Sequence, residues 1–461
     1  MKLAKPIARA ALTLLAAFAI AGGALATASS PERPAGKPAA HPLATCLWEG
    51  PISMKRPTTR GFDGRYFNFP EESATYWMSR FSLPQGSRLI LRGRYPHARY
   101  ISLNSYSDAA PTDALSDIAI EPNPGSTNPF IPGARRDMRK RSWRVTVLDE
   151  APPADREPNT LYAKPQGATA AITAIEVFYR VYEPDRGLGL LGGKPLPRPR
   201  LELADGSVLR GEQACAAIND PNREITVDTT PEYQWETARA APGCDGETNP
   251  AYDPPRWERF FTFEFAAVSV ITDCTEAGRE ARQADTPEVK GGNYSNRDSA
   301  YIYSHLAQEF GPVYVVEAKL PRTPTTRDGR KRMRRGQMRF WSLCTGESRV
   351  TTFTPDCLAD RQVPIDRKRR YTIAVSKRAD RPANARRRCG FGWLDWGERG
   401  DGAGDSGYGL LIMRNMLVSP SFAHAIQRVS TAGTEPDVMG DYFPRSEYST
   451  VAEFEARGCG G

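Results

Sequence analysis

The feature that most constrains the fold of this chain is an internal repeat. The stretch NFPEESATYWMSRFSLPQGSRLILRGRYP (68–96) matches NYSNRDSAYIYSHLAQEFGPVYVVEAKLP (293–321) without a gap, with five identities in 29 positions. Further blocks recur in the same order: ARYISL with MRFWSL, RSWRVTVL with RRYTIAVS, DREPN with DRPAN, and IEVFYRVYEP with LLIMRNMLVSP. Blocks that keep their order over such a distance indicate a tandem duplication, so we expect one module used twice.

The repeated blocks have the pattern of β-strands. SRLILRGRY, ARYISLNSY, WRVTVL and AIEVFYRVY alternate large apolar with polar residues and are rich in β-branched and aromatic types. Turn-forming stretches such as LPQGS separate them, and helical signals are confined to short segments at 230–241, 420–429 and 449–458. We therefore predict an all-β fold: two tandem β-sandwich modules with a few short peripheral helices.

The N-terminus and the repeat together predict the domain boundaries. Residues 1–28 have a basic start, an apolar run and small residues before a cleavage point, which is typical of an export signal. A retained membrane anchor is the alternative, although the apolar run is a little short to span a bilayer. We expect a secreted, periplasmic or cell-envelope protein that does not span the membrane after cleavage. Its predicted parts are a linker (29–45), module 1 (46–218), a second linker (219–256) and module 2 (257–461).

The eight cysteines all follow the predicted signal, which in an exported chain favours disulfides over metal ligands or catalytic thiols. Cys46 and Cys274 precede the two modules, and Cys215 and Cys459 end them. Pairing of Cys46 with Cys215, and of Cys274 with Cys459, would close each module at its termini. The other four cysteines stay unassigned, although the first two of them flank a short loop and could pair: Cys344, Cys357, Cys244 and Cys389.

Several motifs of module 1 have a familiar form: ATYW, GRYPHARYISLNSY, PNPGSTNPF and YRVYEPD…GLLGGKPLP, between Ala74 and Pro197. In these motifs the module resembles an uncharacterised family of secreted bacterial β-sandwich proteins, a domain of unknown function. The second copy matches more loosely, because Cys344 and Asn415 depart from the pattern. The resemblance implies the sandwich fold, and it supplies no activity, cofactor or catalytic residue.

Two arginines recur in both copies and are candidate ligand-binding residues. Arg99 corresponds to Arg339, and Arg180 corresponds to Arg414. An arginine within a strand can pair with a buried carboxylate or with backbone carbonyl groups, which is a structural role. It can also recognise an anion with its guanidinium fork, and both interpretations stay open.

A loop at 104–130 contributes acidic candidates, namely Asp108, Asp113 and Asp117. Clustered carboxylates could hold Ca²⁺ or supply the acid and base of glycoside hydrolysis. Their spacing follows no metal-loop rule, so aspartates that cap turns are the alternative. We predict no other metal and no nucleotide cofactor, since the chain has no CxxC and no P-loop motif.

A glycine-rich loop at 390–409 combines Trp393 and Trp396 with Asp395 and Glu398. Aromatic rings beside carboxylates suit sugar binding, because rings cover the apolar faces of sugars while carboxylates accept hydrogen bonds from hydroxyl groups. The alternative is a hairpin whose tryptophans pack on the sandwich.

Basic residues concentrate at 135–141, 322–339 and 366–370, and the formal net charge is +8. They could form solvated loops or a cationic rim that binds an anionic envelope polymer or polysaccharide in a salt-sensitive manner. No nucleic-acid motif accompanies the charge, so we expect no nucleic-acid partner.

The sequence therefore predicts an exported, disulfide-stabilised binding or envelope-associated protein of unknown ligand. A secreted hydrolase that acts on carbohydrate through loop carboxylates is the alternative, and a purely structural or assembly protein is a third interpretation. No GxSxG motif points to a nucleophilic serine.

Overall fold

Ten strands form module 1, in a computed structural model that describes residues 41–52, 68–168, 174–219, 236, 251–273 and 275–459. They are β1 (Glu49–Ile52), β2 (Ala74–Phe81), β3 (Arg88–Arg94), β4 (Ala98–Ser107), β5 (Ala110–Ser116), β6 (Ser142–Leu148), β7 (Thr160–Tyr162), β8 (Ile175–Pro184), β9 (Arg198–Glu202) and β10 (Val208–Arg210). One sheet has the order β1-β2-β8-β4-β5 and the other has the order β10-β9-β3-β6-β7. We name them the inner and the outer sheet, because the first faces module 2.

The two sheets of module 1 pack face to face on one hydrophobic core. Ile101 and Val177 of the inner sheet and Leu91 and Val145 of the outer sheet belong to the same buried cluster. Alternate residues of each strand point into this core, as the period-two pattern predicts. The arrangement is therefore a β-sandwich.

Module 2 repeats this arrangement. Its strands are β11 (Glu258–Arg259), β12 (Ser299–Ala307), β13 (Val313–Lys319), β14 (Met338–Gly346), β15 (Cys357–Ala359), β16 (Arg370–Ser376), β17 (Gly392–Asp395), β18 (Tyr408–Val418) and β19 (Arg445–Ser449). The inner sheet has the order β11-β12-β18-β14-β15 and the outer sheet β17-β16-β13-β19, matching module 1 strand for strand except for β10. Even the unusual parallel pair β6–β7 recurs as β16–β17. The predicted all-β fold in two modules is confirmed.

The helices in the described residues are short and peripheral: α1 (Glu212–Ala217), α2 (Phe263–Thr272), α3 (Glu276–Ala284), α4 (Glu435–Met439) and α5 (Val451–Glu455). Of the predicted segments, 230–241 lies almost wholly outside the described residues. The segment 420–429 forms only a short 3-10 turn at Ile426–Arg428. The segment 449–458 contains α5, which begins with a capping box between Thr450 and Glu453 rather than with the expected serine. No helix of the described part is long and apolar enough to cross a membrane.

The disulfides agree with the expected pairing at one module and differ at the other. Cys46 bonds to Cys215 across 169 positions, and Cys344 bonds to Cys357 on the neighbouring strand. Cys459 bonds to Cys389, so the predicted Cys274–Cys459 pair is wrong.

The reason for the different pairing is the docking of the C-terminal turn on the loop that follows β16. The side-chain amide of Asn384 donates hydrogen bonds to the carbonyl oxygens of Phe454, Glu455 and Gly458 at 3.2, 3.3 and 3.0 Å. These bonds hold the chain end beside Cys389. Cys274 itself lies outside the described residues.

Candidate anion-binding surface

The arginines that recur in both copies lie at the interface between the two modules. Arg99 of module 1 is fully buried and forms ion pairs with Glu183 of its own module at 2.5 Å and with Asp360 of module 2 at 2.6 Å. Its counterpart Arg339 reaches in the opposite direction and contacts Asp117 of module 1 at 3.2 Å. Asp117 and Asp360 directly follow the equivalent strands β5 and β15. The two contacts are therefore equivalent when the two modules are exchanged, as in an approximately twofold-symmetric pair.

The second pair of recurrent arginines, Arg180 and Arg414, also makes contacts that are equivalent when the modules are exchanged. Arg180 donates a hydrogen bond to the carbonyl oxygen of Tyr294 in module 2 at 2.6 Å, and Arg414 donates to that of Phe69 in module 1 at 3.5 Å. Tyr294 and Phe69 are equivalent positions of the repeat, and both have a φ of 51°. Arg414 also forms a short ion pair with the buried Glu71.

Apolar side chains of both modules complete this interface. Tyr182 of module 1 meets Phe340 of module 2 edge to face, with 5.4 Å between ring centroids, and Tyr100 and Met416 belong to the same buried cluster. The structure thus places the candidate residues Arg99 and Arg180 inside the molecule, where each already has protein partners.

The segment 104–130 is not a single loop, because it contains the end of β4 and the whole of β5, and its three candidate aspartates have different surroundings. Asp108 is exposed at the turn between β4 and β5, where its φ is 48°. Asp113 is buried, and its carboxylate accepts hydrogen bonds from Arg156 at 2.8 and 2.5 Å and from the backbone N–H of Tyr162 at 2.9 Å. Asp117 contacts module 2, as described above. Two of the three therefore hold parts of the fold together.

Asp117 is also electrostatically unusual. Its complete burial raises the pKa of its carboxyl group to about 7; Arg339 opposes this shift, and Asp298 adds to it. Its Oδ2 atom is buried without a hydrogen-bond partner. The interface therefore contains a carboxyl group that titrates near neutral pH.

The four candidate residues of the glycine-rich segment 390–409 also differ in their surroundings. Trp396 is fully buried in the core of module 2, as the alternative interpretation of this loop predicts. Trp393 is only partly buried, and its indole N–H donates to a serine hydroxyl at 3.1 Å. Asp395 accepts a hydrogen bond from Arg378 at 2.7 Å, while Glu398 is exposed. The loop therefore does not present both tryptophans to one ligand.

Among the residues that the structure describes, three potential metal ligands cluster in one place: Glu71, Cys344 and Cys357. The two sulfurs form a disulfide, so they are not available as thiolate ligands. The aspartates of the loop 104–130 are not part of this group, and the Ca²⁺ site stays a prediction.

The two longest basic segments meet across the module boundary. The backbone N–H of Gly133 donates to Met333 O at 2.7 Å, that of Met333 donates to Ala134 O at 3.0 Å, and that of Arg136 donates to Lys331 O at 2.8 Å. The segment 322–339, which is an insertion in module 2 relative to module 1, thereby extends the basic loop 135–141 of module 1. Exposed cations of the joined segments are Arg135, Arg139, Lys140, Arg322, Arg330, Lys331, Arg332, Arg334 and Arg335.

The outer sheet of module 1 presents a further group of cations, which we name the arginine face. Strand alternation directs Leu89, Leu91 and Val145 into the core, so the residues between them point away from it. On that far side six arginines occupy three adjacent strands: Arg88, Arg92, Arg94, Arg144, Arg198 and Arg200.

The register of the strands places like charges directly opposite each other on this face. Arg92 faces Arg144 on one neighbouring strand and Arg198 on the other, and all three are exposed. The acid on these strands, Glu202, contacts Arg88 at 2.6 Å and Arg200 at 3.0 Å. Within the described residues, no carboxylate lies within 4 Å of the other four arginines, so in that part of the chain their positive charge has no counter-ion.

The equivalent face of module 2 is different. Glu317 occupies the position of Arg92 in the repeat, and it faces Thr372 and Arg445. Phe454 of α5 packs with Val313 and other apolar residues against the same side of the sheet. The arginine face is therefore a property of one copy and not of the shared module.

The sequence contains a signal for this surface, although the predictions above did not use it. The arginines of SRLILRGR (88, 92 and 94) and of PRPRLE (198 and 200) are an even number of positions apart, which places them on one side of each strand. The signal does not show that the two strands are neighbours, because β3 and β9 are separated by more than one hundred residues of chain.

Comparisons with known proteins add little to this description. No family model matches the chain, and no curated protein matches it. An uncharacterised protein from Burkholderia cenocepacia has a similar solved structure, with 12% identity, a TM-score of 0.43 and coverage of 89% of this chain and 84% of that one. A protein from Vibrio parahaemolyticus is similar over 83% of this chain and 90% of its own, with 11% identity and a TM-score of 0.34.

Proposed function

We propose that the protein is an exported binding protein that holds an anionic polymer of the cell envelope, such as an acidic polysaccharide, on its arginine face. The observation that carries the proposal is the direct opposition of Arg144 and Arg198 to Arg92. Like charges placed directly opposite destabilise a sheet, so a face of this kind is best accounted for by a ligand that supplies the negative charge.

The spacing of the face suits a polymer better than a small ligand. Neighbouring strands lie about 4.8 Å apart, and alternate residues along a strand lie about 6.8 Å apart. A chain with one negative charge for every sugar or phosphate unit can therefore contact several guanidinium groups at once. Each contact is weak and screened by salt, and the affinity comes from their number.

The basic loops extend this surface. Arg94 donates a hydrogen bond to the carbonyl oxygen of Arg139 at 2.9 Å, which joins the arginine face to the basic loop of module 1. Arg332 donates to the carbonyl oxygen of Gly133 at 2.9 Å, which joins the insertion of module 2 to the same loop. A polymer that leaves the sheet at Arg94 thus meets further cations.

The cellular setting of the proposal rests on the signal-like N-terminus and on the disulfides. Disulfides such as Cys46–Cys215 form and persist in oxidising compartments outside the cytoplasm. The carboxylates of Asp113, Asp117 and Asp395 are bound by arginines, so we do not propose hydrolysis by the candidate loops.

The substitution Arg92→Glu tests the proposal, because it gives module 1 the residue that module 2 has at this position. We expect the affinity for an acidic polysaccharide such as polygalacturonate to fall at least tenfold at about 50 mM salt, with a shallower salt dependence. The thermal midpoint should stay level or rise, because two repulsive cross-strand pairs become attractive. Fluorescence anisotropy of the labelled polymer and thermal unfolding measure the two effects.

A matched control is Arg388→Glu, which makes the same charge change at an exposed position of module 2. It should alter polymer affinity by less than about twofold. Equal losses in both variants would show that net charge alone attracts the polymer, and the proposal would then be wrong. Stronger binding of duplex DNA than of any acidic polysaccharide would also contradict it.

A further inference from the structure

One corner of module 1 collects positive charge around a buried arginine. Arg141 is 2% exposed, and its guanidinium group donates to the carbonyl oxygens of Arg136 at 2.8 Å and Pro96 at 2.9 Å. One of its nitrogens also lies 2.8 Å from Nε2 of His97. Its Nε atom is buried without a partner, and no carboxylate of the described chain lies within 4 Å of it. A buried cation without a counter-ion is costly, so this corner favours an anion.

The carboxylate that could neutralise Arg141 is already engaged. Asp185 lies close enough to influence Arg141, but its Oδ1 atom accepts a hydrogen bond from Arg136 at 2.5 Å. Because Asp185 is paired with Arg136, it does not also serve as the counter-ion of Arg141. The corner retains the charge of Arg141 and of the cations around it.

The fold holds a glycine-rich loop against this corner. The backbone N–H of His97 donates to the carbonyl oxygen of Gly192 at 3.0 Å, and Gly192 has a φ of +55°. A Cβ atom at this glycine would lie 2.6 Å from the carbonyl oxygen of His97, so a larger residue would push the loop away. The loop thereby brings Lys194 into electrostatic range of both His97 and Arg141, with Arg94 on the adjoining strand.

The titration of these groups reflects the same excess of positive charge. Burial, followed by Arg141, Lys194 and Arg136, lowers the pKa of His97 to about 4, while Asp137 acts weakly in the opposite direction. Burial and the neighbouring Arg136 lower the pKa of Arg141 to about 10. Burial is the largest cause of both shifts, and the surrounding cations add to it.

We propose that Arg94, His97, Arg141 and Lys194 form a subsite for a phosphate group, which deepens the proposed function by naming phosphorylated polymers as its ligands. A phosphate group suits the corner better than a carboxylate. It carries up to two negative charges and three free acceptor oxygens, and the corner offers several cations from three chain segments. Arg94 belongs both to the arginine face and to the subsite, so a polymer lying on the face would place its phosphates here.

The test uses inorganic phosphate as the probe and the ring signals of His97 as the readout. The chain has four histidines, so their NMR signals can be assigned by substitution. At constant ionic strength, about 20 mM phosphate should raise the pKa of His97 by about one unit, because a bound anion favours the imidazolium form. Trifluoroacetate, a carboxylate that stays ionised in the pH range where His97 titrates, should leave it unchanged at the same concentration.

Two variants and one control locate the site. Lys194→Gln and Arg94→Gln should each weaken phosphate binding about fivefold, since each removes a charge-assisted hydrogen bond. Arg198→Gln removes the same charge from the far side of the arginine face, so it should leave phosphate affinity unchanged within about twofold while weakening polymer binding.

The subsite is contradicted if His97 does not respond to about 100 mM phosphate, if trifluoroacetate acts equally, or if all three variants have the same effect. The two proposals fail separately. A phosphate response at His97 in a protein that binds no polymer would retain the subsite and remove the proposed function. Polymer binding without a phosphate response would do the reverse.

Discussion

Replacing Arg99 with methionine is expected to lower the free energy of unfolding by about 3–5 kcal/mol. Arg99 is fully buried between Glu183 at 2.5 Å and Asp360 at 2.6 Å, and Arg361 also pairs with Glu183. Two positive and two negative groups thus balance across the module interface. Methionine fills much of the volume of the side chain but leaves Asp360 as an uncompensated buried charge. Denaturant-induced unfolding, followed by fluorescence, measures the loss.

Two control variants distinguish the loss of the buried ion pairs from the loss of an arginine as such. Arg198→Met at an exposed strand position should change stability by less than about 0.5 kcal/mol. The double variant Arg99→Met with Asp360→Leu should cost less than Arg99→Met alone, because it removes the orphaned carboxylate and leaves Glu183 paired with Arg361. A double variant as unstable as the sum of both single changes would show that these charges act independently.

The second large effect is a dependence of stability on pH that comes from Asp117. Its pKa is raised from 3.8 to about 7 in the folded chain, chiefly by burial. A carboxyl group with a raised pKa binds its proton more tightly when folded, so it stabilises the fold below pH 4 and loses this contribution as the pH rises to 7. A shift of about three units corresponds to about 4 kcal/mol across this window.

The variant Asp117→Asn isolates this contribution, because an amide does not titrate. Burial lowers the pKa of His305 to about 3, and this group acts in the opposite direction, raising stability between about pH 3 and 6.5. The difference in unfolding free energy between wild type and variant cancels such other groups. We expect wild type to lose about 4 kcal/mol relative to the variant from pH 4 to 7. A constant difference would mean that Arg339 keeps Asp117 ionised throughout.

Local pattern and internal repetition were sufficient to predict much of the fold. Strand alternation depends on neighbours along the chain, so SRLILRGRY and AIEVFYRVY identify β3 and β8 directly. The repeat then predicts that both modules share one topology, which the matching sheet orders bear out. The bond between Cys46 and Cys215 follows from the same reasoning, because the ends of a compact module lie close together.

The parts that could not be predicted depend on contacts between distant segments. Cys459 bonds to Cys389 because Asn384 holds the C-terminal turn, and no local pattern reports that docking. The opposition of Arg144 and Arg198 to Arg92 likewise requires β3 to lie between β6 and β9.

The clearest division between sequence and tertiary structure concerns two arginines in strands of similar pattern. By itself the sequence determined that Arg92 and Arg180 each belong to a strand, because alternation is a property of consecutive residues. Only the tertiary structure decided that Arg180 is buried against Tyr294 of module 2 while Arg92 faces solvent among other cations. A strand pattern assigns a side chain to one of two faces, but what covers that face is decided by packing between modules.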